Sequence, residues 1–288
     1  MKPRAFDYVR AGSLDDVFAA FEAHGDDALI LAGGQNVVPA LNMRLSEPAI
    51  LVDINRIPGL DGIEKTGDVV RIGALCRHEV VRRSEVIGRQ VPLLSQALAH
   101  VAHPAIRNRG TFGGSLCNAD PAAELPACAL ALDATMIVEN ASGTRRVPAS
   151  DFFTGFYETC LEPGDILTAV EVPAIGVGEI HFFDEIARRR GDYALAGLAA
   201  VARCERGRLA SVRFAFHSCG DRALLAPTLS ALVGEAARDS VDEAAIGAAL
   251  ESDLEPPEDA ATSSETRLHL AGVLARRALA HFDGGAGE

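Results

Sequence analysis

An α+β fold in two parts is what this sequence predicts, and three observations predict it. Apolar runs in the first part alternate between strand length and helical spacing, and composition turns small and flexible between Pro173 and Gly178. Beyond that point, strand-like runs follow one another through glycine-containing turns before helical spacing returns. The division gives residues 1–176, with subdomains at about 1–55 and 56–176, and residues 177–288. A chain of 288 residues exceeds the usual size of one core, and 48% hydrophobic residues can fill two.

Each element has its own signal. Ser13 can cap a helix whose apolar positions Leu14, Val17, Phe18 and Phe21 keep helical spacing, and Gly25 ends it. Ala28 to Leu31 reads as a buried strand, and Val37 to Leu41 as a short helix with Pro39 early in it. Ile50 to Ile54 and Val69 to Gly73 are strands separated by Pro58-Gly59 and Thr66-Gly67 turns. His78 to Arg83 suits a short helix, and Pro92 opens another to about Ala99. Asp120 has the look of a cap for a helix reaching Leu132, and strands at Thr135–Glu139 and Leu167–Val172 close the region. In the second part, strands are expected at His181–Ala187, Ala199–Cys204 and Leu209–His217, forming an antiparallel sheet with helices on one face. Those helices fall near Pro227–Val233, Val241–Leu250 and Arg267–Phe282, and the tail after Asp283 is expected to be disordered.

Charge and cysteine spacing exclude several classes. A net charge of −13 argues against nucleic acid or an anionic membrane as the main partner, since phosphate contacts need clustered Lys and Arg. Arg188-Arg189-Arg190 reads as a solvated turn. The six cysteines show no CxxC pair and no zinc or iron–sulfur spacing, so free thiols are expected. The start, MKPRAFDYVRAGS, has no apolar leader, and no run reaches the ~18 to 20 uncharged apolar residues of a membrane span. The expectation is a cytoplasmic protein. There is no serine nucleophile elbow, no HExxH and no convincingly spaced carboxylate pair, so no catalytic and no metal-ligating residues are assigned.

Two glycine pairs carry the functional signal: Ala32-Gly33-Gly34-Gln35-Asn36 and Thr111-Phe112-Gly113-Gly114-Ser115. Phosphate oxygens must approach the main chain closely, which a Cβ obstructs, and backbone N–H groups at a helix start attract anions. Two such turns with Asn36 and Ser115 at matching offsets point to a diphosphate, hence to a bound dinucleotide. Neither turn reads GxGxxG and no P-loop is present, so the cradle must come from two distant loops.

Three segments, LAGGQNVVPALNMRL (31–45), HPAIRNRGTFGGSLCNADPAAELPA (103–127) and FFDEIARRRGDYALA (182–196), resemble the FAD-binding medium subunit of molybdenum hydroxylases, the family of carbon monoxide and xanthine dehydrogenases. The resemblance runs from Phe6 to about His281. It implies an N-terminal vanillyl-alcohol-oxidase-type FAD-binding domain of two α+β subdomains and a C-terminal antiparallel sheet packed with helices. By match, Ala32, Gly33, Gly34, Gln35 and Asn36, flanked by Leu31 and Val37, clamp the FAD pyrophosphate together with Thr111, Gly113, Gly114 and Ser115. Ala102, Ile106 and Gly110 match positions leading into the second loop. Glu124 matches a position bonding the ribose or nearby groups, and Leu167 and Tyr193 match positions around the isoalloxazine, with Tyr193 stacking on it. A flat flavin needs such a wall, and with three tyrosines in the chain the alternative for Tyr193 is a core residue.

Two positions depart from the family pattern. Glu185 stands where Lys is common, so a cation near the flavin is either missing or replaced by Arg188; Asn36 and Ser115 exchange Ser and Asn but remain donors. The resemblance implies non-covalent FAD here, with molybdopterin in a large partner subunit and two 2Fe–2S clusters in a small one, assembled as a dimer of heterotrimers. Electrons would leave through this subunit. His103-Pro104 is read as shaping a turn rather than carrying a covalent flavin link, and His217 as a core residue. Two other classes stay open: a self-sufficient flavin oxidase or reductase with its own substrate pocket, and a nucleotide-holding module without redox function.

Overall fold

The computed structural model describes residues 2–205, 208–235, 241–259 and 262–285. The chain starts with β1 (Asp7–Arg10), α1 (Leu14–His24), β2 (Ala28–Leu31), α2 (Val37–Met43) and β3 (Ile50–Asp53). The three strands are parallel in the order β1-β3-β2, so each connection must cross over, and α1 and α2 lie in these crossings. Ser13 begins α1 as expected: its hydroxyl accepts from the Asp16 N–H at 3.2 Å, and the Asp16 carboxylate accepts from the Ser13 N–H at 3.0 Å. Central β3 is buried at every residue.

Next come β4 (Ile63–Thr66), β5 (Val69–Gly73), α3 (His78–Arg83), α4 (Glu85–Gln90), α5 (Pro92–Leu98), α6 (Pro104–Arg107), α7 (Phe112–Asn118) and α8 (Glu124–Ala131). They are followed by β6 (Thr135–Asn140), β7 (Gly143–Pro148), α9 (Ala149–Phe152), β8 (Phe153–Gly155), β9 (Glu158–Thr159) and β10 (Ile166–Pro173). An antiparallel sheet in the order β4-β5-β10-β6-β7 results. After Glu124, every residue of α8 is buried, so this helix is apolar all round and runs through the core.

The chain ends with β11 (Glu179–Ala187), β12 (Ala194–Glu205), β13 (Arg208–His217), β14 (Leu224–Leu225), α10 (Pro227–Glu235), α11 (Glu243–Asp253) and α12 (Ser264–Gly285). The sheet is antiparallel, as the sequence led one to expect, in the order β11-β12-β13-β14, the short β14 being an addition to the three expected strands and the helices covering both faces rather than the one expected. On one face α12 packs on β11 and β12, and α10 on β13; the opposite face takes α8 and α5 from earlier in the chain. Side chains alternate accordingly. Leu198, Ala200, Phe214 and Phe216 join the core under the C-terminal helices, while Phe183, Ala199 and Ala215 join the core around α8. Burial on both faces explains why β12 reads as a continuous run of small apolar residues.

Several expectations need correction. The second glycine pair is not a turn: Gly113 and Gly114 lie in the first turn of α7, capped by Thr111. Asp120 does not cap α8, whose preceding residue is Ala123; its carboxylate instead accepts from the Ala122 N–H at 2.9 Å in a local turn. His103-Pro104 opens α6 rather than a turn, with proline in the first helical turn where it is tolerated. Strands β1, β4 and β7 carry no sequence signal because they edge their sheets and are largely exposed, leaving no apolar alternation to read. Helix α12 continues past Asp283 to Gly285, and the rest of the expected disordered tail, residues 286–288, lies outside the described residues.

Candidate functional site

A cavity of about 490 Å³ opens where the three sheet regions meet. The loop after β2, Ala32 to Val37, forms one wall. The segment leading into α7 forms the second, through Ala102, Ile106, Gly110, Thr111, Gly113, Gly114 and Ser115. Glu124, Leu167 and the β11–β12 connection at Gly191 to Tyr193 complete it. Every residue assigned to cofactor binding from the sequence lines this cavity except Leu31. The Leu31 carbonyl is occupied behind the wall, accepting from the Ile54 N–H at 3.1 Å and from Asn55 Nδ2 at 3.3 Å.

The two glycine loops use their main chains differently. Among the described residues, the N–H groups of Gly33, Gly34, Gln35, Asn36 and Val37 have no acceptor within the protein, and the Asn36 side chain makes no cap bond. In the second loop the donors are committed: Phe112 N–H to the Cys76 carbonyl, Gly113 N–H to Ala74, Gly114 N–H to Thr111 Oγ1 and Ser115 N–H to the Thr111 carbonyl. The expectation that both loops present amides to a phosphate is therefore corrected for residues 112–115. The first loop holds the free donors, and the Ser115 hydroxyl remains on the second wall.

Three residues that the sequence reading missed brace these loops. Asn55 Nδ2 donates to the Ala32 carbonyl at 2.7 Å and to Asp53 Oδ1 at 2.7 Å. Arg77 donates to Asn55 Oδ1 at 2.7 Å and also to the Arg109 carbonyl, tying the first loop to the second. His78 Nε2 donates to the Thr111 carbonyl at 2.9 Å, while its buried Nδ1 has no partner. Burial pushes the His78 imidazole down to about 4, with Arg107 and Arg77 adding to the shift, so the ring is neutral at pH 7. Asp53-Ile54-Asn55 carried one legible clue, an Asx turn at a strand end, in which Asp53 Oδ1 accepts from the Asn55 N–H at 2.9 Å. Arg77 and His78 carried none.

The far end of the cavity is acidic and aromatic. Asp120 is 8% exposed, and its negative charge bears on two phenols, Tyr193 and Tyr157. The surrounding walls and Asp120 raise the Tyr193 phenol to about 12, and the same causes raise Tyr157. Tyr193 is 68% exposed at the cavity mouth, which excludes the core-residue alternative. Burial raises the Glu124 carboxyl to about 8, and the negative charges of Glu185 and Asp120 add to it. Glu185 does not reach the cavity wall. It lies buried on β11, between His100 Nδ1 at 3.4 Å and His217 Nε2 at 3.9 Å.

The residues present fit a dinucleotide: a row of uncommitted amides suits a diphosphate, and an exposed ring at the opposite end suits a flat heterocycle. The site is thus that of a nucleotide-cofactor flavoprotein. Residues 4–175 match the FAD binding domain in molybdopterin dehydrogenase, and residues 181–282 match the CO dehydrogenase flavoprotein C-terminal domain. The 6-hydroxypseudooxynicotine dehydrogenase complex subunit alpha of Paenarthrobacter nicotinovorans is 40% identical, over 97% of this chain and 95% of its own length. The carbon monoxide dehydrogenase medium chain of Hydrogenophaga pseudoflava is 35% identical, over 97% of each. Among solved structures, quinoline 2-oxidoreductase from Pseudomonas putida 86 superposes with a TM-score of 0.91 at 37% identity, covering 99% of both chains. The chain belongs to the family of FAD-binding medium subunits of molybdenum hydroxylases, and is an oxidoreductase subunit. Among the described residues, no helix is long and apolar enough to cross a membrane.

Proposed function

We propose that this chain is the electron-exit subunit of a molybdenum hydroxylase. It would hold FAD non-covalently, receive electrons from two 2Fe–2S clusters of a small partner subunit, and pass them to an external acceptor. A large partner subunit would carry molybdopterin and the substrate pocket, and the whole would assemble as a cytoplasmic dimer of heterotrimers. The observation that carries this reading is the row of uncommitted amides from Gly33 to Val37, opening onto a cavity whose other end is walled by Tyr193.

In this reading, residues 1–176 bind the cofactor in two subdomains meeting near residue 55, and residues 177–288 close over it. Gly33 to Val37 orient the diphosphate, helped by the Asn36 amide and the Ser115 hydroxyl. Glu124 sits beside the sugar or ribityl hydroxyls, and Leu167 and Tyr193 fix the ring plane and exclude water. Bound FAD supplies two-electron chemistry that can also proceed one electron at a time, matching iron–sulfur donors to an acceptor. The free thiols have no cluster-binding arrangement, which favours a subunit fed by partners over a self-contained relay.

The test is a tagged pull-down from the native host, with an absorbance spectrum and metal analysis of the eluate. Flavin together with a molybdenum subunit and an iron–sulfur subunit is the expected result. A lone yellow protein that turns over a substrate would overturn the reading in favour of an independent oxidase.

A further inference from the structure

Tyr193 walls the cavity with little packing of its own. It is exposed at the mouth and falls just outside the sheet ladder, whose last β11–β12 pair is Ala187 with Ala194. Burial cannot fix the direction of an exposed ring, so the backbone on either side must do it. On the C-terminal side that backbone is tied down by Arg267 of α12, which is 6% exposed. Its guanidinium donates to the Leu195 carbonyl at 2.6 Å, to the Ser218 carbonyl at 3.1 Å and to Asp259 Oδ2 at 2.7 Å.

On the N-terminal side, Gly191 is where the β11–β12 connection touches the first domain. Its φ is 85°, and a Cβ built there would lie 2.7 Å from His103 Cε1 and 3.1 Å from the Ala102 carbonyl oxygen. Only a residue without a side chain lets the two backbones come so close. Ala102 is itself left-handed, at φ 39°, a conformation that a residue with a Cβ keeps only where its surroundings enforce it. Arg107 supplies the enforcement. This last residue of α6 folds back over its own helical turn: Nη1 donates to the Val101 carbonyl at 2.8 Å and to the Ala102 carbonyl at 3.1 Å, while Nε donates to Glu79 Oε2 at 3.0 Å. Glu79 is fastened to α3 by Arg82 through bonds of 2.6 and 3.0 Å. Ala102, Gly191 and Tyr193 all line the cavity, whereas Arg107 stands behind them.

We propose that Arg107 is a positioning residue for the flavin wall: by holding the left-handed Ala102 against Gly191, with Glu79 as its counter-anchor, it sets the angle at which Tyr193 meets the ring. The proposal rests on the FAD reading of the cavity. With Leu195 fixed by Arg267, the seat of Gly191 on Ala102 and His103 is what remains to orient the tyrosine. The same clamp decides how much of the ring face an external acceptor can reach.

The three tyrosines of the chain allow a direct test. In the full-length chain carrying 3-fluorotyrosine and no added FAD, fluorine NMR resolves Tyr8, Tyr157 and Tyr193, the last assigned with Tyr193→Phe. The Tyr193 line should move in Arg107→Met, while the Tyr8 line, on β1, stays as the fold control. In the FAD-loaded chain, emission of the bound flavin should rise and iodide should quench it more readily, at unchanged FAD stoichiometry, because a stacked phenol both quenches the ring and covers it. Added to Tyr193→Ala, Arg107→Met should raise the emission no further. An unmoved Tyr193 line would overturn the proposal. So would a moved line with unchanged flavin emission, or a further rise in the Tyr193→Ala background. Failure of the wild type to bind FAD would instead sink the cofactor reading, and the fluorine line would still decide whether Arg107 sets the tyrosine. Should Arg107→Met not fold, Arg107→Lys takes its place: an ammonium can keep the pairing with Glu79 but cannot fork to both carbonyls, so the line must move in that variant too.

Discussion

The two glycine pairs look interchangeable in sequence and are opposite in construction. Gly33 lies against the other loop: a Cβ there would meet the Arg109 carbonyl oxygen at 2.5 Å and the Gly110 Cα at 2.9 Å. Gly34 needs a left-handed backbone, φ 73°, and its neighbours' N–H groups are unspent. Gly113 is a helix residue pressed on the start of a core segment, where a Cβ would meet the Ala74 Cβ at 2.5 Å, and its N–H is already bonded to Ala74. One pair frees donors for a ligand while the other fastens a wall. A glycine motif thus marks close approach, but the thing approached can be the protein itself.

The comparison can be broken at several points. The largest effect is expected from Gly33→Val, which wedges the two loops apart: flavin content should drop to background, with a stability loss of about 3 kcal/mol from overpacking, read by absorbance and urea titration. Gly113→Ala should cost about 1–3 kcal/mol of stability by the same mechanism. Flavin should be retained in the molecules that fold, because no ligand-facing amide is lost; loss of flavin without loss of stability would show that the second loop binds directly. Asn55→Ala removes the brace on the Ala32 carbonyl and leaves Arg77 short of an acceptor, for about 1–2 kcal/mol and a weaker FAD affinity at unchanged fold.

The most gradual effect is expected from pH. His78 is neutral in the fold near pH 7, its folded value lying near 4 against about 6.5 when unfolded. Below pH 6.5 the unfolded chain binds a proton that the folded one refuses, so this contribution is present above 6.5 and is lost as pH falls toward 4. Buried His181 and His217 act in the same direction. Melting temperature should decline between pH 6.5 and 4, and His78→Gln should shrink the decline; an identical slope in that variant would remove His78 from the account.

Much of this architecture was legible in the sequence where burial is one-sided or complete. Central strands such as β3 and β10, and helices with a capping residue such as Ser13, announced themselves through apolar runs and caps. Edge strands did not, because an exposed strand such as β7 gains little from apolar residues. The cavity positions followed from the glycine pairs and the family resemblance, whereas Asn55, Arg77 and His78 were hidden: they act by bonding carbonyls distant in sequence, and such bonds leave no local pattern.

The two-sided burial of β12 has a consequence for how the protein is made. During synthesis, α8 and the two glycine segments leave the ribosome well before β11 to β13 exist, and Tyr193 is among the late arrivals. Until those strands dock, the core around α8 lacks Phe183, Ala199 and Ala215, and the cavity lacks one wall. A nascent or truncated chain therefore leaves apolar surface around α8 uncovered and the cavity open on its Tyr193 side.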